Sequence, residues 1–230
     1  MPKCLWFLKG FGRRTRLAQR RNHRALAVIR ALRSRQRRQN QQIEILCKDM
    51  VAAHGQFAQK LSRLTFVAGF YEALLGCGTL ETLLDKAALS IRSRIPNAGV
   101  AVFVLEKQGF DIHIAAAPAG QPLVGRDDLQ QWFTPETAAA VARAGRICSA
   151  NRLLALGMQA PPAFLKQVSM TAVPLGILGC AVGFVLLWRS AEQPILPEQM
   201  ETLAAAAAGL RAAILTHRNT ADPKPKCLQC

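Results

Sequence analysis

The hydrophobic pattern divides this chain into a helical first third and a mixed remainder. An apolar cluster of Leu5, Trp6, Phe7, Leu8 and Phe11 comes first. No proline occurs between residues 13 and 75, and the pattern predicts one long helix there. Within it Ile43, Leu46, Met50, Ala53 and Phe57 recur at steps of three and four. After a four-residue step the pattern resumes at Leu61, Leu64, Ala68, Tyr71 and Leu75. Such a heptad seam with one stutter predicts a coiled coil or a helix packed lengthwise on a partner.

Gly76 and Gly78 interrupt that helix, and Thr79 is placed to cap a second one. Its apolar face is Leu80, Leu83, Leu84, Ala87, Ala88, Ile91 and Ile95, and Pro96 ends it. Two strands are predicted at 99–106 and 110–115, with a tight turn at 107–109. Short helices are expected at 127–133 and 136–144, the second with Thr134 as cap and Pro135 at its first position. A short strand at 146–149 precedes two buried strands at 170–175 and 181–188, with a turn at 176–179. A last helix is expected over 198–217, with Met200, Leu203, Ala207, Leu210 and Ile214 as its stripe. The alanines at 204–208 suit close approach of a neighbouring helix, and the tail from Asn219 is expected to fray. This order predicts an α+β fold: an antiparallel sheet flanked by helices, preceded by a long N-terminal helix.

Charge alters the picture at one end only. The 230 residues carry a formal +16, from 30 Lys+Arg against 14 Asp+Glu. Residues 1–38 hold 13 of those basic groups, 11 of them Arg, and no acid; the first carboxylate is Glu44. The remaining 192 residues carry 17 basic groups against all 14 acids, a net of +3. The expected organisation is therefore a basic arm (1–38), a long helix or coiled coil (39–76), a domain (77–217) and a polar tail (218–230). Seven cysteines at irregular spacing, with no secretory signal, predict reduced thiols in the cytoplasm. The uncharged run 172–188 reaches the lower limit of a membrane span, but Pro174, Gly176, Gly179 and Gly183 divide it into a hairpin.

The run Ser169-Met-Thr-Ala-Val-Pro-Leu175, then Gly183-Phe-Val-Leu-Leu-Trp188, then Pro194-Ile-Leu-Pro-Glu-Gln-Met-Glu-Thr-Leu203-Ala resembles a GAF domain. The helix beginning at Leu80 and the strand from Val100 sit where that family places them, so the resemblance covers about 70–217. It implies a sensory or regulatory module, with a small-molecule ligand on the concave face of the sheet. It also implies first and last helices on the other face, often dimerising, and a signalling partner or output. With no room for an output domain after the last helix, the resemblance leaves either a separate partner or the arm itself as the output. The Asn-Lys…Phe…Asp-Glu run of cyclic-nucleotide-binding members is absent, and Cys148 is followed by Ser149 rather than by the histidine expected of bilin-binding members. The cysteine set of the methionine sulfoxide reductase branch is not matched either. The resemblance leaves the cofactor unknown.

No catalytic triad, phosphate loop or metal-spaced cluster stands out, and a non-enzymatic role is expected. His113 shares a strand face with Asp111, opposite Phe110, Ile112 and Ile114. It reads either as a structural histidine or as a pocket group. With Asp111, Asp127 and Cys148 it makes up the candidate ligand pocket; Asp127 and Asp128 read equally as charges at a helix start. A thiol enzyme built on Cys148 is a remoter alternative. Cys227 and Cys230 have redox or metal spacing at a terminus. Arg30, Arg33, Arg35, Arg37 and Arg38 are the candidate contacts for a polyanion, either nucleic acid or anionic membrane. The bland readings are a solvated face or a translated upstream segment without function. A homodimer is expected through Ile43, Leu46, Met50, Phe57, Leu61, Leu64, Leu203, Leu210 and Ile214.

Overall fold

The structure is a computed structural model that describes residues 5–106, 109–115, 124–177 and 180–221; the side chains of 5–23, 177, 180, 220 and 221 are not described. The turn residues Lys107 and Gln108, Leu178 and Gly179, and the tail cysteines Cys227 and Cys230 lie outside the described residues.

The proline-free run forms one helix, α1, Leu5–Leu74. The chain divides into two compact units, Met1–Leu61 and Ser62–Cys230. In the first unit every described side chain, from Arg24 to Leu61, is exposed. The second unit is the domain. It begins at Ser62 rather than at residue 77, because the last turns of α1 pack into its core through Phe66, Val67, Phe70, Tyr71 and Leu74. That face is not the expected seam: Ala68 and Leu75 are exposed, and only Tyr71 is common to both. The Leu75 amide donates to the Tyr71 and Glu72 carbonyls, and Gly76 then turns the chain at φ +78, a value that favours glycine.

Helix α2 is Leu80–Arg94, and Thr79 closes a capping box with Thr82. The strands are β1 (Gly99–Glu106), β2 (Gly109–Ala115), β3 (Cys148–Ser149), β4 (Val168–Ile177) and β5 (Cys180–Ser190). They form a five-stranded sheet in the order β2-β1-β5-β4-β3, antiparallel throughout. The uncharged run 172–188 is the β4–β5 hairpin. Among the described residues no helix is long and apolar enough to cross a membrane. Helices α3 (Arg126–Trp132) and α4 (Pro135–Arg143) match the expectation, and α7 (Pro197–Ala221) runs further than expected. The sequence pattern does not announce α5 (Ala150–Ala155) or α6 (Pro162–Gln167); six residues hold too little periodicity to mark a helix.

Alternation along the central strands gives the sheet two buried faces. Val100, Val102, Val104, Val185 and Leu187 point to one, where α2, α7 and the end of α1 cover them. Ala101, Phe103, Phe184, Leu186 and Trp188 point to the other, under α3, α4 and α5. Burial on both faces explains why β1 and β5 read as unbroken apolar runs rather than alternating ones.

The stripe on α7 faces the sheet. Leu203, Leu210 and Ile214 are buried within this chain's own core, so their expected place in a dimer interface is corrected. A helix stripe gives the same signal whether it covers its own sheet or a second copy. The small residues of α7 receive α1 and β4 of the same chain. The Tyr71 hydroxyl donates to the Ala205 carbonyl at 3.2 Å, and a Cβ at Gly209 would lie 1.9 Å from the Tyr71 ring.

Candidate functional site

The sheet face under α3–α5 is where the resemblance expects a ligand, and aromatic side chains fill it. Phe103 stacks on Phe184 with ring centroids 4.3 Å apart and planes at 14°. Phe133 from the end of α3 lies 5.0 Å from Phe103 and 5.5 Å from Phe184, and Phe110 lies 5.4 Å from Phe103. Phe103, Phe133 and Phe184 are fully buried. Offset and tilted ring contacts of this kind are favourable beyond the area they bury.

The four pocket candidates are not brought together there. His113 belongs to the α2 side of the sheet: its Nε2 lies 2.8 Å from Asp85 Oδ1 on α2, which makes it a structural histidine pairing strand to helix. Asp111, also on β2, accepts from the Ile112 amide at 2.9 Å and from the Arg126 guanidinium at the start of α3. Asp127 is exposed in the first turn of α3. Cys148 lies buried on β3, at the opposite edge of the sheet from β2. Four strand spacings separate those edges, about 19 Å. The single pocket drawn from Asp111, His113, Asp127 and Cys148 is therefore corrected. Parity along β2 places Asp111 beside His113, but nothing local to either strand reveals which edge of the sheet it occupies.

Burial pushes the Cys148 thiol up, against a hydrogen bond from Arg152 and the charges of Arg152 and Arg146. It is held as a thiol, its Sγ donating to the Arg146 carbonyl at 3.4 Å. That environment suits packing rather than nucleophilic attack. Among the described residues no group of three His, Cys, Asp or Glu is placed to hold a metal ion.

A cleft of about 210 Å³ opens on the opposite face, between α7 and the β3–β4 edge. The β3–β4 ladder pairs only Cys148 with Ala172 and Ser149 with Thr171. Before it, Gly145, Arg146 and Ile147 lie outside that ladder, and β4 shifts register against β5 between Pro174 and Gly176. The cleft is floored by Ala204, Ala207 and Ala208 of α7, with Arg211 one turn on. Sequence reasoning missed this cleft, although its floor belongs to the alanine run 204–208.

On α1 the candidate arginines Arg30, Arg33, Arg35, Arg37 and Arg38 are all exposed. Arg30, Arg33 and Arg37 recur at three and four residues and share one face. Further along, Ile43, Leu46, Met50, Phe57, Leu61 and Leu64 are exposed as well, Leu46 at 66% and Met50 at 64%. Beside the first of these, Lys48 pairs with Glu44 on the same helix at 2.8 Å.

No protein-family model matches the sequence, and no curated protein matches it. Solved structures do match in shape. The GAF domain of a phosphoenolpyruvate-protein phosphotransferase from Coxiella burnetii superposes at TM-score 0.54 and 12% identity, over 70% of this chain and 97% of that one. The corresponding GAF domain from Acinetobacter gives 0.52 and 11%, over 70% and 98%. The chromophore-binding domain of a bacteriophytochrome from R. palustris gives 0.50 and 11%, over 70% and 63%. At such identities the shared property is the fold alone, which in this chain is a five-stranded antiparallel sheet between two helical layers. This chain carries a GAF-like fold.

Proposed function

We propose that the chain is a non-enzymatic, cytoplasmic GAF-like regulatory module that works as a homodimer through α1. One observation carries the reading: six large apolar side chains, Ile43 to Leu64, stand exposed in a row on a helix whose last turns are anchored in the domain core. A solvent-facing apolar stripe of that length fits a partner helix better than water. Each such side chain contributes about 1.5–3 kcal/mol when fully buried, so the paired rows offset an association cost of roughly 4–15 kcal/mol. The test is light scattering on the full chain and on Leu46→Glu with Met50→Glu. The wild type should be a dimer at micromolar concentration and the double variant a folded monomer. A monomeric wild type across that range defeats the reading.

The packed aromatic face favours a second role for the same dimer: an adaptor whose core has exchanged its ligand for side chains and holds two basic arms together. Arginine guanidiniums suit phosphate contacts. Binding of this kind should weaken with salt at a log–log slope of about 0.9 per phosphate neutralised. Changing Arg30, Arg33, Arg35, Arg37 and Arg38 to Gln should flatten that slope on duplex DNA. An unchanged slope removes the arm from the account. Retention on anionic vesicles, with no retention on DNA, would assign the arm to membrane instead.

A further inference from the structure

The cleft between α7 and the β3–β4 edge has features that packing alone leaves unused. Two arginines, Arg146 and Arg211, line it, and no acidic residue does. Among the described residues neither has an ion-pair partner, and Arg211 Nε is buried without a hydrogen bond. An unpaired buried donor on a cation costs free energy that a matching acceptor would recover. The walls are otherwise apolar, from Ile147, Val173, Leu175 and the alanines of α7. The cleft also lies where strand pairing lapses: β3 pairs with β4 only at Cys148 and Ser149, and β4 shifts register against β5 between Pro174 and Gly176. Bulges of this kind often adjoin sites where a strand is re-aimed.

We propose that this cleft binds a small organic carboxylate, with the carboxylate on Arg211 and Arg146 and a compact apolar body over the alanine floor. Planar guanidinium groups match a carboxylate through paired N–H donors. A volume of about 210 Å³ is below the roughly 300–1,000 Å³ of drug-sized sites, which restricts the occupant to a short acid or a single-ring aromatic acid and leaves out a nucleotide. The site lies on the face opposite the aromatic cluster. It does not depend on dimerisation through α1.

Titration calorimetry and thermal unfolding on the full chain, with propanoate and with benzoate at constant ionic strength, test the assignment. Binding and a raised melting temperature are expected, by mass action on the folded state. Arg211→Gln should weaken binding at least tenfold, and Arg146→Gln by less, since Arg146 is exposed. Ala208→Leu keeps both charges and fills the floor, and should also abolish binding; it covers the case in which Arg211→Gln fails to fold. The variant lacking the five arm arginines should bind as the wild type does. The proposal is overturned if neither acid binds, if Arg211→Gln and Ala208→Leu both bind normally, if the arm variant loses binding, or if inorganic phosphate binds equally well.

Discussion

Truncating Phe184 to alanine tests whether the aromatic cluster occupies the face where a ligand is otherwise expected. Phe184 is fully buried on a central strand, stacked 4.3 Å from Phe103 and 5.5 Å from Phe133. Removing a buried ring costs about 3–5 kcal/mol for lost transfer and the cavity left behind. Of this, each ring pair accounts for roughly 0.5–1.5 kcal/mol. Domains of this size lose about 2–4 °C of melting temperature per kcal/mol, so the variant should melt roughly 6–20 °C lower. It should remain folded at 20 °C, since total stability is typically about 5–15 kcal/mol. The cavity would be lined by Phe103, Phe133 and other apolar groups, and cavities of that kind stay dry and take up benzene. Benzene at about a hundred times its dissociation constant returns about 2.7 kcal/mol, enough to recover at least 5 °C in the variant. The wild type should not shift. The assay is thermal unfolding by circular dichroism, with and without benzene. A variant melting within 2 °C of the wild type refutes the packing argument; so does a wild type stabilised by benzene as much as the variant.

Gly183→Ala should unfold the domain or cost more than about 3 kcal/mol, above the usual range for overpacking, because the new Cβ would sit 1.9 Å from the Phe103 carbonyl oxygen on the adjoining strand; urea unfolding measures it, and a near-native midpoint would contradict the strand register. Thiol chemistry supplies another check. Exposed Cys47 should react quickly with a maleimide and buried Cys148 only on unfolding, and mass spectrometry of the labelled peptides separates them. Because burial raises the folded Cys148 pKa above its ordinary value of 9.0, the unfolded thiol ionises first as pH rises. Cys148 therefore contributes stability that is complete below about pH 9 and lost above it; Cys148→Ala should flatten that alkaline limb of the stability curve, and an unaltered limb would assign it to other groups.

Much of the fold was legible because it is written in local signals. Thr79, Thr134 with Pro135, and the glycines at 76 and 78 placed helix ends that the structure keeps. The apolar runs 170–175 and 181–188 announced buried strands, and the structure has β4 and β5 there. Gly183, the glycine within the last strand motif, proved to be a position where the neighbouring backbone leaves no room for a side chain. The candidate site was far less legible. Its residues were grouped by parity and by motif position, while their grouping in space depends on strand order, which is a non-local pairing.

The sequence by itself determined which residues share a face, since helical and strand periods follow from backbone geometry. It also determined where charge concentrates, since the arginines of residues 1–38 are free of acids. Only the tertiary structure decided what covers each face. Two similar stripes met opposite fates: Leu203, Leu210 and Ile214 close onto the sheet, whereas Ile43, Leu46 and Met50 stay exposed. The same holds for polar groups. His113 was drawn away to Asp85, and Arg146 and Arg211, distant in sequence, came to line one cleft. The physical reason is that burial is gained by whichever surface comes within reach, and reach is set by the path of the whole chain.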